Sequence, residues 1–351
     1  MSINLCGALK MRRSSGTREV CADLIEAAIP TPFDEEIAEW QHSIRGNSVE
    51  VRVPGSTSNL GAGFDCYALA LQIYLTVRAT IREDTEEPCR ARSRGEGSSG
   101  SLPRDGENLV CRAISFVAAQ RSVELPPLRL AVLNEIPLGR GLGSSAAAII
   151  AGIKLFAHLF GQEFTDQQVL GYAKELEGHA DNVAASLHGG LVVTCVGDDG
   201  GVLSVKKHWP PDIKVLVISP HVSLGTAQAR AVLPPQVNHT DAVYNLQRAA
   251  LFGAALDERR DDLLWESMRD RLHQPYRETL VPGLREALSI TRRKGLLGIS
   301  LSGAGPSVLA LADDCYDEIQ QAIAENFHRH GIETSARLLK VDADGARCRK
   351  L

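Results

Sequence analysis

Three glycines followed by two serines form the segment of this chain best suited to bind an anion. In the stretch PLGRGLGSSAAA, Gly139, Gly141 and Gly143 precede Ser144 and Ser145. Glycines adopt backbone conformations that are closed to residues with a Cβ, so the N–H groups of such a loop can converge on one point. The loop runs into a predicted helix, whose first N–H groups and dipole also favour negative charge. The pattern predicts a polyphosphate site, with a serine hydroxyl as a candidate Mg²⁺ ligand.

Two familiar nucleotide-binding motifs do not match this spacing. The glycines do not form GxGxxG with an acidic residue downstream, and no lysine follows them as GxxxxGK[ST] requires. Rossmann and Walker A loops are therefore disfavoured. A glycine-rich turn that only allows the helix to pack closely is the alternative interpretation.

A second run of small residues, SGAGPS, lies between two apolar segments near the end of the chain. Gly303, Ala304 and Gly305 let the backbone approach a ligand without a side-chain clash. We expect this turn to close over the substrate and over the glycine loop of residues 139–145, hereafter called the phosphate loop. The alternative is a strand hairpin with no ligand nearby.

Hydrophobic periodicity predicts the elements that position these loops. Strands are predicted at Val49–Pro54, Tyr74–Ile81, Leu128–Leu133 and Asp212–Pro220, and on both sides of the turn in LLGISLSGAGPSVLALA. Helices are predicted at Glu19–Ile29, at Ala146–Phe160, over FTDQQVLGYAKELEG with Thr165 as N-cap and Gly178 as stop, at Asp241–Leu256, at Leu280–Lys294 and at Tyr316–Arg329. The polar stretch between Ile81 and Leu109 is expected to be a surface excursion.

The composition excludes several classes of protein. The chain has 351 residues, of which 44% are hydrophobic, enough to bury a sizeable core. A formal net charge of -5 offers no basic field to a nucleic-acid backbone. No apolar stretch reaches the roughly 18 residues of a transmembrane helix, and the N-terminus lacks a signal-peptide layout. The eight cysteines are scattered without a CxxC pair, so we expect reduced thiols and a cytoplasmic protein.

Three ordered segments resemble the motifs of the GHMP small-molecule kinase superfamily. They are VRVPGSTSNLGAGFDCYALAL, PLGRGLGSSAAA and GISLSGAGPSVLAL. Within that superfamily, STSNLGAGFD, EGHADNVAASLHGG, GTAQARAVLP and HQPYRETLVPG are similar to segments of the homoserine kinases. The match covers nearly all of residues 48–345. Three motifs in order are a much more specific signal than any one of them alone.

The resemblance implies an α+β GHMP kinase fold. Residues 46–208 would form an N-terminal ATP-binding domain of the ribosomal-protein-S5-domain-2-like α/β type. Residues 209–351 would form a ferredoxin-like α+β domain, and residues 1–45 an extension of uncertain order. The implied reaction is ATP-dependent phosphorylation of L-homoserine in threonine biosynthesis, with Mg²⁺ as cofactor and a homodimer as the assembly. No nucleic-acid or membrane partner is expected.

A zwitterionic amino acid with a terminal hydroxyl needs an acceptor for its ammonium, cations for its carboxylate and a polar contact at the hydroxyl. The resemblance assigns Asp65 to the ammonium, Arg230 and Arg277 to the carboxylate, and Asn59 with Asn182 to the hydroxyl, and places Thr226 and His179 in the same pocket. Asp181 is the nearest carboxylate for the hydroxyl proton, although it could instead brace the loop. Singly, these residues could also be a helix cap, surface charges or a core histidine.

The nucleotide and the metal ion have their own candidate residues. Glu177 and Ser145 offer the hard oxygen ligands that Mg²⁺ prefers, and Glu175 is a weaker candidate. Asn108 resembles a residue of the adenine pocket, with a helix N-cap as the alternative. The predicted nucleotide contacts are Asn108, Pro137, Gly139, Arg140, Gly141, Leu142, Gly143, Ser144, Ser145, Ala146, Ala147, Gly303, Ala304 and Gly305.

Two other functions stay open at this point. One is a mevalonate or sugar kinase of the same superfamily, but such substrates lack the ammonium that would explain Asp65 beside two arginines. The other is an inactive ligand-binding protein with this fold, which the loss of Glu177, Ser145 or the loop glycines would favour. All of those residues are present. Ala180 and Ser186 stand where the family often has proline, which removes no ligand.

Overall fold

The computed structural model describes residues 48–82, 88–100 and 102–351. The predicted N-terminal extension and its helix at Glu19–Ile29 lie outside the described residues. The strands are β1 Ser48–Asn59, β2 Gly63–Ile81, β3 Cys89–Gly95, β4 Leu128–Asn134, β5 Leu191–Val196, β6 Val202–Lys207, β7 Lys214–Pro220, β8 Leu296–Leu301, β9 Val308–Ala312, β10 Thr334–Leu339 and β11 Arg347–Lys350. The helices are α1 Leu109–Gln120, α2 Ser144–Leu159, α3 Asp166–Glu177, α4 Asp181–His188, α5 Thr226–Ala231, α6 His239–Asp257, α7 Leu264–Ser267, α8 Gln274–Arg277, α9 Leu284–Leu288 and α10 Tyr316–His328.

Within those ranges, seven strands form the larger of two sheets. Its main order is β11-β1-β2-β4-β3, with β5 paired to β2 and β6 paired to β5. The pairs are antiparallel except for β3 with β4. Along β4, Leu128, Leu130 and Val132 are buried while the residues between them are partly exposed. This alternation is the period of two expected of a strand with one face on the core.

Helix α2 lies in the core beside this sheet and carries the phosphate loop at its N-terminus. Most of its side chains are small or aliphatic and buried, from Ala146 to Leu159. A Cβ added at Gly152 would lie 2.6 Å from Ala113 Cβ and from Val110 O in α1, so only glycine allows the two helices to approach this closely. The loop before α2 is therefore anchored to a tightly packed pair of helices.

The smaller sheet has the antiparallel order β10-β7-β9-β8. Its buried residues, including Leu216 and Ile218 of β7, form a second core with Ile319, Ile323 and Phe327 of α10. The SGAGPS turn joins β8 to β9. The predicted domain boundary at residue 208 falls between β6 of the larger sheet and β7 of the smaller one, while β11 returns to the larger sheet.

The mixed α+β prediction is confirmed, and several local predictions are too. Helix α3 has Thr165 as its N-cap in a full capping box with Gln168, and it ends at Gly178, which has φ 85°. The prediction for Leu280–Lys294 is too long, because α9 covers only Leu284–Leu288. Gly283, with φ 82°, delays the start of this helix, and the chain leaves it to enter β8.

Two expectations about the polar stretch and the cysteines are wrong. The predicted surface excursion contains β3, which pairs with β4 from Cys89 to Gly95. Because β3 then lies against α1, Cys89 and Cys111 meet with their Cα atoms 6.3 Å apart and form a disulfide. The spacing of the cysteines along the chain did not indicate this pair. In the part of the chain that the structure describes, no helix combines the length and the apolar character needed to cross a bilayer.

Candidate active site

One cavity of about 320 Å³ brings the predicted site together. It lies where the N-terminus of α2, the end of β1 and the SGAGPS turn meet residues of α4, α5 and α8. Every predicted site residue lines it except Ala146 and Ala147, whose side chains are buried inside α2. The weaker metal candidate, Glu175, is also absent from the wall.

The phosphate loop has the backbone that its sequence suggested. Gly139, Gly141 and Gly143 all have positive φ, between 63° and 72°. A Cβ at Gly141 would lie 2.0 Å from Ser302 O, and one at Gly143 would lie 2.2 Å from Ser56 Oγ. Ser302 Oγ also donates to Gly141 O at 2.7 Å, so the SGAGPS turn contacts the loop directly. Close packing and positive φ therefore occur at the same glycines.

An apolar region of the cavity adjoins the loop. Its wall includes Leu102, Leu109, Val110, Val132 and Leu138. Sequence reasoning missed these residues because Leu109, Val110 and Val132 have the pattern of ordinary core residues, while Leu102 and Leu138 are single leucines in loops. An apolar slot beside an anion-binding loop suits the base of a nucleotide.

Asn108 is a helix N-cap and also lines the cavity. It is the N-cap of α1, because its Oδ1 accepts a hydrogen bond from Val110 N at 3.1 Å. Its Nδ2 donates to Pro103 O at 2.9 Å, and the residue lines the cavity.

Ser145 and Glu177 place two oxygen groups beside the loop. Ser145 is in the first turn of α2 and Glu177 is the last residue of α3; Ser145 Oγ donates to Glu177 Oε1 at 2.6 Å. Burial raises the pKa of Glu177 above its ordinary value, the Ser145 hydrogen bond lowers it and Asp181 raises it further. A carboxylate whose charge is disfavoured in this way would gain from a nearby cation. Among the described residues, no group of three or more His, Cys, Asp or Glu side chains could hold a metal ion by itself.

Charged groups of opposite sign face each other in another part of the cavity. Arg230 Nη2 donates to Asp65 Oδ1 at 2.6 Å, so two predicted substrate residues pair with each other. Asp65 has φ 55°, and the ring of Phe64 lies 5.5 Å from Arg230 Cζ and 5.2 Å from Arg277 Cζ. The sequence did not suggest either this ion pair or the role of Phe64 between the arginines.

Arg277 is 2% exposed and is held firmly. Its Nε donates to Ala229 O at 3.0 Å and its Nη1 donates to Gly303 O at 3.2 Å. Burial, followed by the charge of Arg230, lowers its pKa to about 10, so it remains a cation at neutral pH. A buried guanidinium at a cavity wall is a strong partner for a carboxylate.

The two asparagines link separate motifs. Asn182 Oδ1 accepts from Ser56 Oγ and its Nδ2 donates to Ser58 Oγ, both at 2.9 Å. Asn59 Nδ2 donates to Gly303 O at 2.9 Å, and its Oδ1 accepts from Asp65 N at 3.1 Å. These bonds fix both amides at the cavity wall.

Asp181 and His179 have shifted pKa values. Asp181 is 3% exposed, and burial raises its pKa to about 6, although its Oδ1 accepts the Asn182 N–H at 2.7 Å. Burial lowers the pKa of His179, and the charge of Arg230 lowers it further. At neutral pH, Asp181 is therefore an ionised carboxylate of unusual basicity and His179 is neutral.

Comparison with known proteins identifies the family of this chain. Residues 108–190 match the family model for the GHMP kinases N terminal domain, and residues 242–329 match that for the GHMP kinases C terminal region. The homoserine kinase of Solibacter usitatus is 40% identical over 281 residues, which cover 80% of this chain and 90% of that protein. That of Desulfitobacterium hafniense is 38% identical over 299 residues, 85% of this chain and 99% of that protein.

Solved structures agree with these relatives. The crystal structure of homoserine kinase from Cytophaga hutchinsonii superposes with a TM-score of 0.74 at 30% identity, covering 87% of this chain and 98% of that one. The resemblance inferred from the motifs is confirmed. The chain belongs to the homoserine kinase family of the GHMP kinases.

Proposed function

We propose that this chain transfers the γ-phosphoryl group of ATP to the hydroxyl of L-homoserine, giving O-phospho-L-homoserine in threonine biosynthesis. One observation carries the proposal: a glycine loop at a helix N-terminus shares a cavity with the carboxylate of Asp65 and the guanidinium groups of Arg230 and Arg277. The first feature suits a polyphosphate, and the second matches the charges of an amino-acid zwitterion.

The nucleotide would place its base in the apolar region and its phosphates over the loop. Backbone N–H groups around Gly141 and Gly143 would face the phosphates, helped by the α2 dipole. Arg140 supports this placement, because its Nε is buried without a hydrogen-bond partner among the described residues and its side chain lines the cavity. An anion would satisfy that donor.

Ser145 and Glu177 would hold Mg²⁺ together with phosphate oxygens and water. The donors are hard oxygens, and burial raises the pKa of Glu177, so a cation beside this carboxylate would stabilise its ionised form. When bound, the ion would neutralise charge on the phosphate oxygens.

The amino acid would bind by replacing the ion pair between Asp65 and Arg230 with ion pairs to its own charged groups. Its ammonium would replace Arg230 at Asp65, while its carboxylate would take Arg230 together with Arg277. This exchange keeps each charge paired. Asn59 and Asn182 would then lie beside the side-chain hydroxyl and orient it toward the phosphate loop.

Asp181 is the proposed acceptor of the hydroxyl proton. Phosphoryl transfer depends mainly on positioning and charge, so a weak base is sufficient. The raised pKa of Asp181 and its place in the cavity wall support this role over a purely bracing one. His179, which is neutral at the working pH, would contribute a hydrogen-bonding group and no charge.

The activity of the wild-type enzyme should fall as the pH drops through about 6. A base must be ionised to accept a proton, and burial raises the pKa of Asp181 to about 6, so protons inactivate it below that pH. In Asp181→Asn, kcat should fall about 10²-fold or more and this acidic limb should disappear. The measurement is kcat against pH for both proteins. The same limb in the variant would assign the titration to another group.

A substrate panel tests the proposed reaction. In an ATP-coupled assay, L-homoserine should turn over well above L-serine, L-threonine, mevalonate and galactose. Equal rates across the panel, or none, would reject the assignment in favour of another GHMP kinase or an inactive protein.

A homodimer is also proposed, and an exposed apolar surface supports it. Leu203, Val205 and Leu246 are 57%, 64% and 70% exposed. Strand register aligns Val205 through β5 with Tyr67, whose hydroxyl donates to Ala249 O of α6, so β6 and α6 share one side of the sheet. Such patches mark association surfaces. Sedimentation of the full chain should give a dimer, and a monomer at assay concentration would reject the proposed homodimer.

A cytoplasmic location remains a prediction from the sequence.

A further inference from the structure

We propose that His273 is a positioning residue that sets the separation between the two charge-binding ends of the substrate site. It does so by joining Arg277 to the loop that carries Asp65. The inference rests on the proposed function, in which these two residues bind the carboxylate and the ammonium.

The hydrogen bonds of His273 determine which nitrogen carries its proton. The side chain is fully buried, and Nε2 lies 2.9 Å from Gly61 O. A carbonyl oxygen only accepts, so Nε2 must donate. In neutral imidazole, Nδ1 then has a free lone pair, and it lies 3.2 Å from Arg277 Nη1, which only donates. The ring therefore accepts from Arg277 and donates to the loop at the same time.

Burial of the ring favours its neutral form, although two carboxylates lie nearby. Burial lowers the pKa of His273 and the charge of Arg277 opposes protonation, while Asp270 and, more weakly, Asp65 act in the other direction. Asp270 Oδ2 lies 3.7 Å from Nε2, but this carboxylate already accepts from the backbone N–H groups of Leu272, His273 and Gln274. It also accepts from Asn245 Nδ2 at 2.7 Å, so its lone pairs are engaged without the ring.

The arrangement leaves part of Arg277 available. Its Nε and Nη1 are bonded to Ala229 O, Gly303 O and His273, and no hydrogen bond among the described residues uses its Nη2. Arg277 lines the cavity, so the remaining donor is the one available to a carboxylate. His273 completes the set of contacts that orients the guanidinium.

The ring of His273 also contacts the loop that carries Asp65. His273 stacks on Phe64 with centroids 5.1 Å apart, and Arg277 Cζ is 5.2 Å from the same ring. Phe64 is adjacent to Asp65, and Gly61, which accepts from His273, lies in the same loop. A Cβ at Gly61 would lie 2.0 Å from Met268 O, so the loop is also held closely on its far side. One buried ring thus contacts both ends of the zwitterion site.

The amide variants of His273 separate its two hydrogen bonds. His273→Asn keeps an acceptor near the Nδ1 position but loses the Nε2 donor, and His273→Gln keeps a donor toward Gly61 but loses the acceptor. We expect His273→Gln to raise KM for L-homoserine about tenfold or more, because the bond to a charged group is lost. KM for ATP should change less than about twofold, and His273→Asn should recover much of the loss.

A substrate without a carboxylate separates the proposed role from a merely structural one, which would affect both substrates equally. With 3-aminopropan-1-ol, which lacks the group that Arg277 would bind, kcat/KM should be the same in the wild type and in His273→Gln. His188→Gln, a partly buried histidine outside the cavity, is the matched control and should leave all constants unchanged.

The outcomes distinguish the inference from the proposed function. Wild-type turnover of L-homoserine with an unchanged KM in His273→Gln would overturn only the inference. Equal losses with both substrates, or equal losses for homoserine and ATP, would show a general effect on folding and would also overturn it. Calorimetry measures the binding of L-homoserine to the wild type and to His273→Gln without relying on turnover. A wild type that neither binds nor turns over homoserine would overturn both the inference and the proposed function.

Discussion

Arg277→Ala should lower kcat/KM for L-homoserine by about 30- to 1,000-fold, mostly through KM. Removing one member of a buried, hydrogen-bonded charge pair costs roughly 2–4 kcal/mol, and each 1.4 kcal/mol is about tenfold. Arg277 is buried, and hydrogen bonds to Ala229 O and Gly303 O hold its guanidinium at the cavity wall. KM for ATP should change little. Steady-state kinetics with each substrate varied in turn measures the effect.

Two further variants control this prediction. Arg277→Lys keeps the charge but loses the fork of donors that reaches Ala229 O and Gly303 O, so it should also be impaired. Arg285→Ala removes an exposed arginine paired with Glu278 and should leave the kinetics unchanged. An unchanged KM for homoserine in Arg277→Ala would remove the carboxylate site from the account.

Gly141→Ala should reduce kcat by about 10²-fold or more and raise KM for ATP. The new Cβ would lie 2.0 Å from Ser302 O at a residue with φ 72°, so the phosphate loop and the SGAGPS turn must separate. Small displacements of groups that position a transferred phosphoryl are costly. The assay is initial rate against ATP concentration, with circular dichroism to verify the fold.

Gly171→Ala is the matched control for the loop variant. Gly171 lies inside α3, without a positive φ and with open space around its Cβ position. Alanine there should stabilise the helix by roughly 0.5–1 kcal/mol and leave the kinetics unchanged. Normal ATP kinetics in Gly141→Ala would mean that the loop does not hold the phosphates.

Local sequence signals predicted much of the fold. Thr165 and Gly178 bound α3 because capping depends on residues only a few positions apart. The strand β3 and its disulfide were missed because they depend on pairing with β4 and packing against α1, which are distant in the chain. The length of α9 was overestimated because Gly283 and the path into β8 override helical periodicity.

The site shows the same division between local and distant information. Motifs located the loop glycines and the charged residues, and the cavity contains nearly all of them. The pairing of Asp65 with Arg230 and the contacts of His273 join segments that are far apart in sequence. No spacing rule could predict such contacts, whereas the three-dimensional structure places them directly.

The most direct test of zwitterion recognition compares L-homoserine with 4-hydroxybutyrate, which lacks the ammonium, in the wild type and in Asp65→Asn. The wild type should prefer homoserine by about 10²-fold or more in kcat/KM, and the variant should lose most of that preference. An Asp65→Asn enzyme that discriminates as well as the wild type would contradict the account.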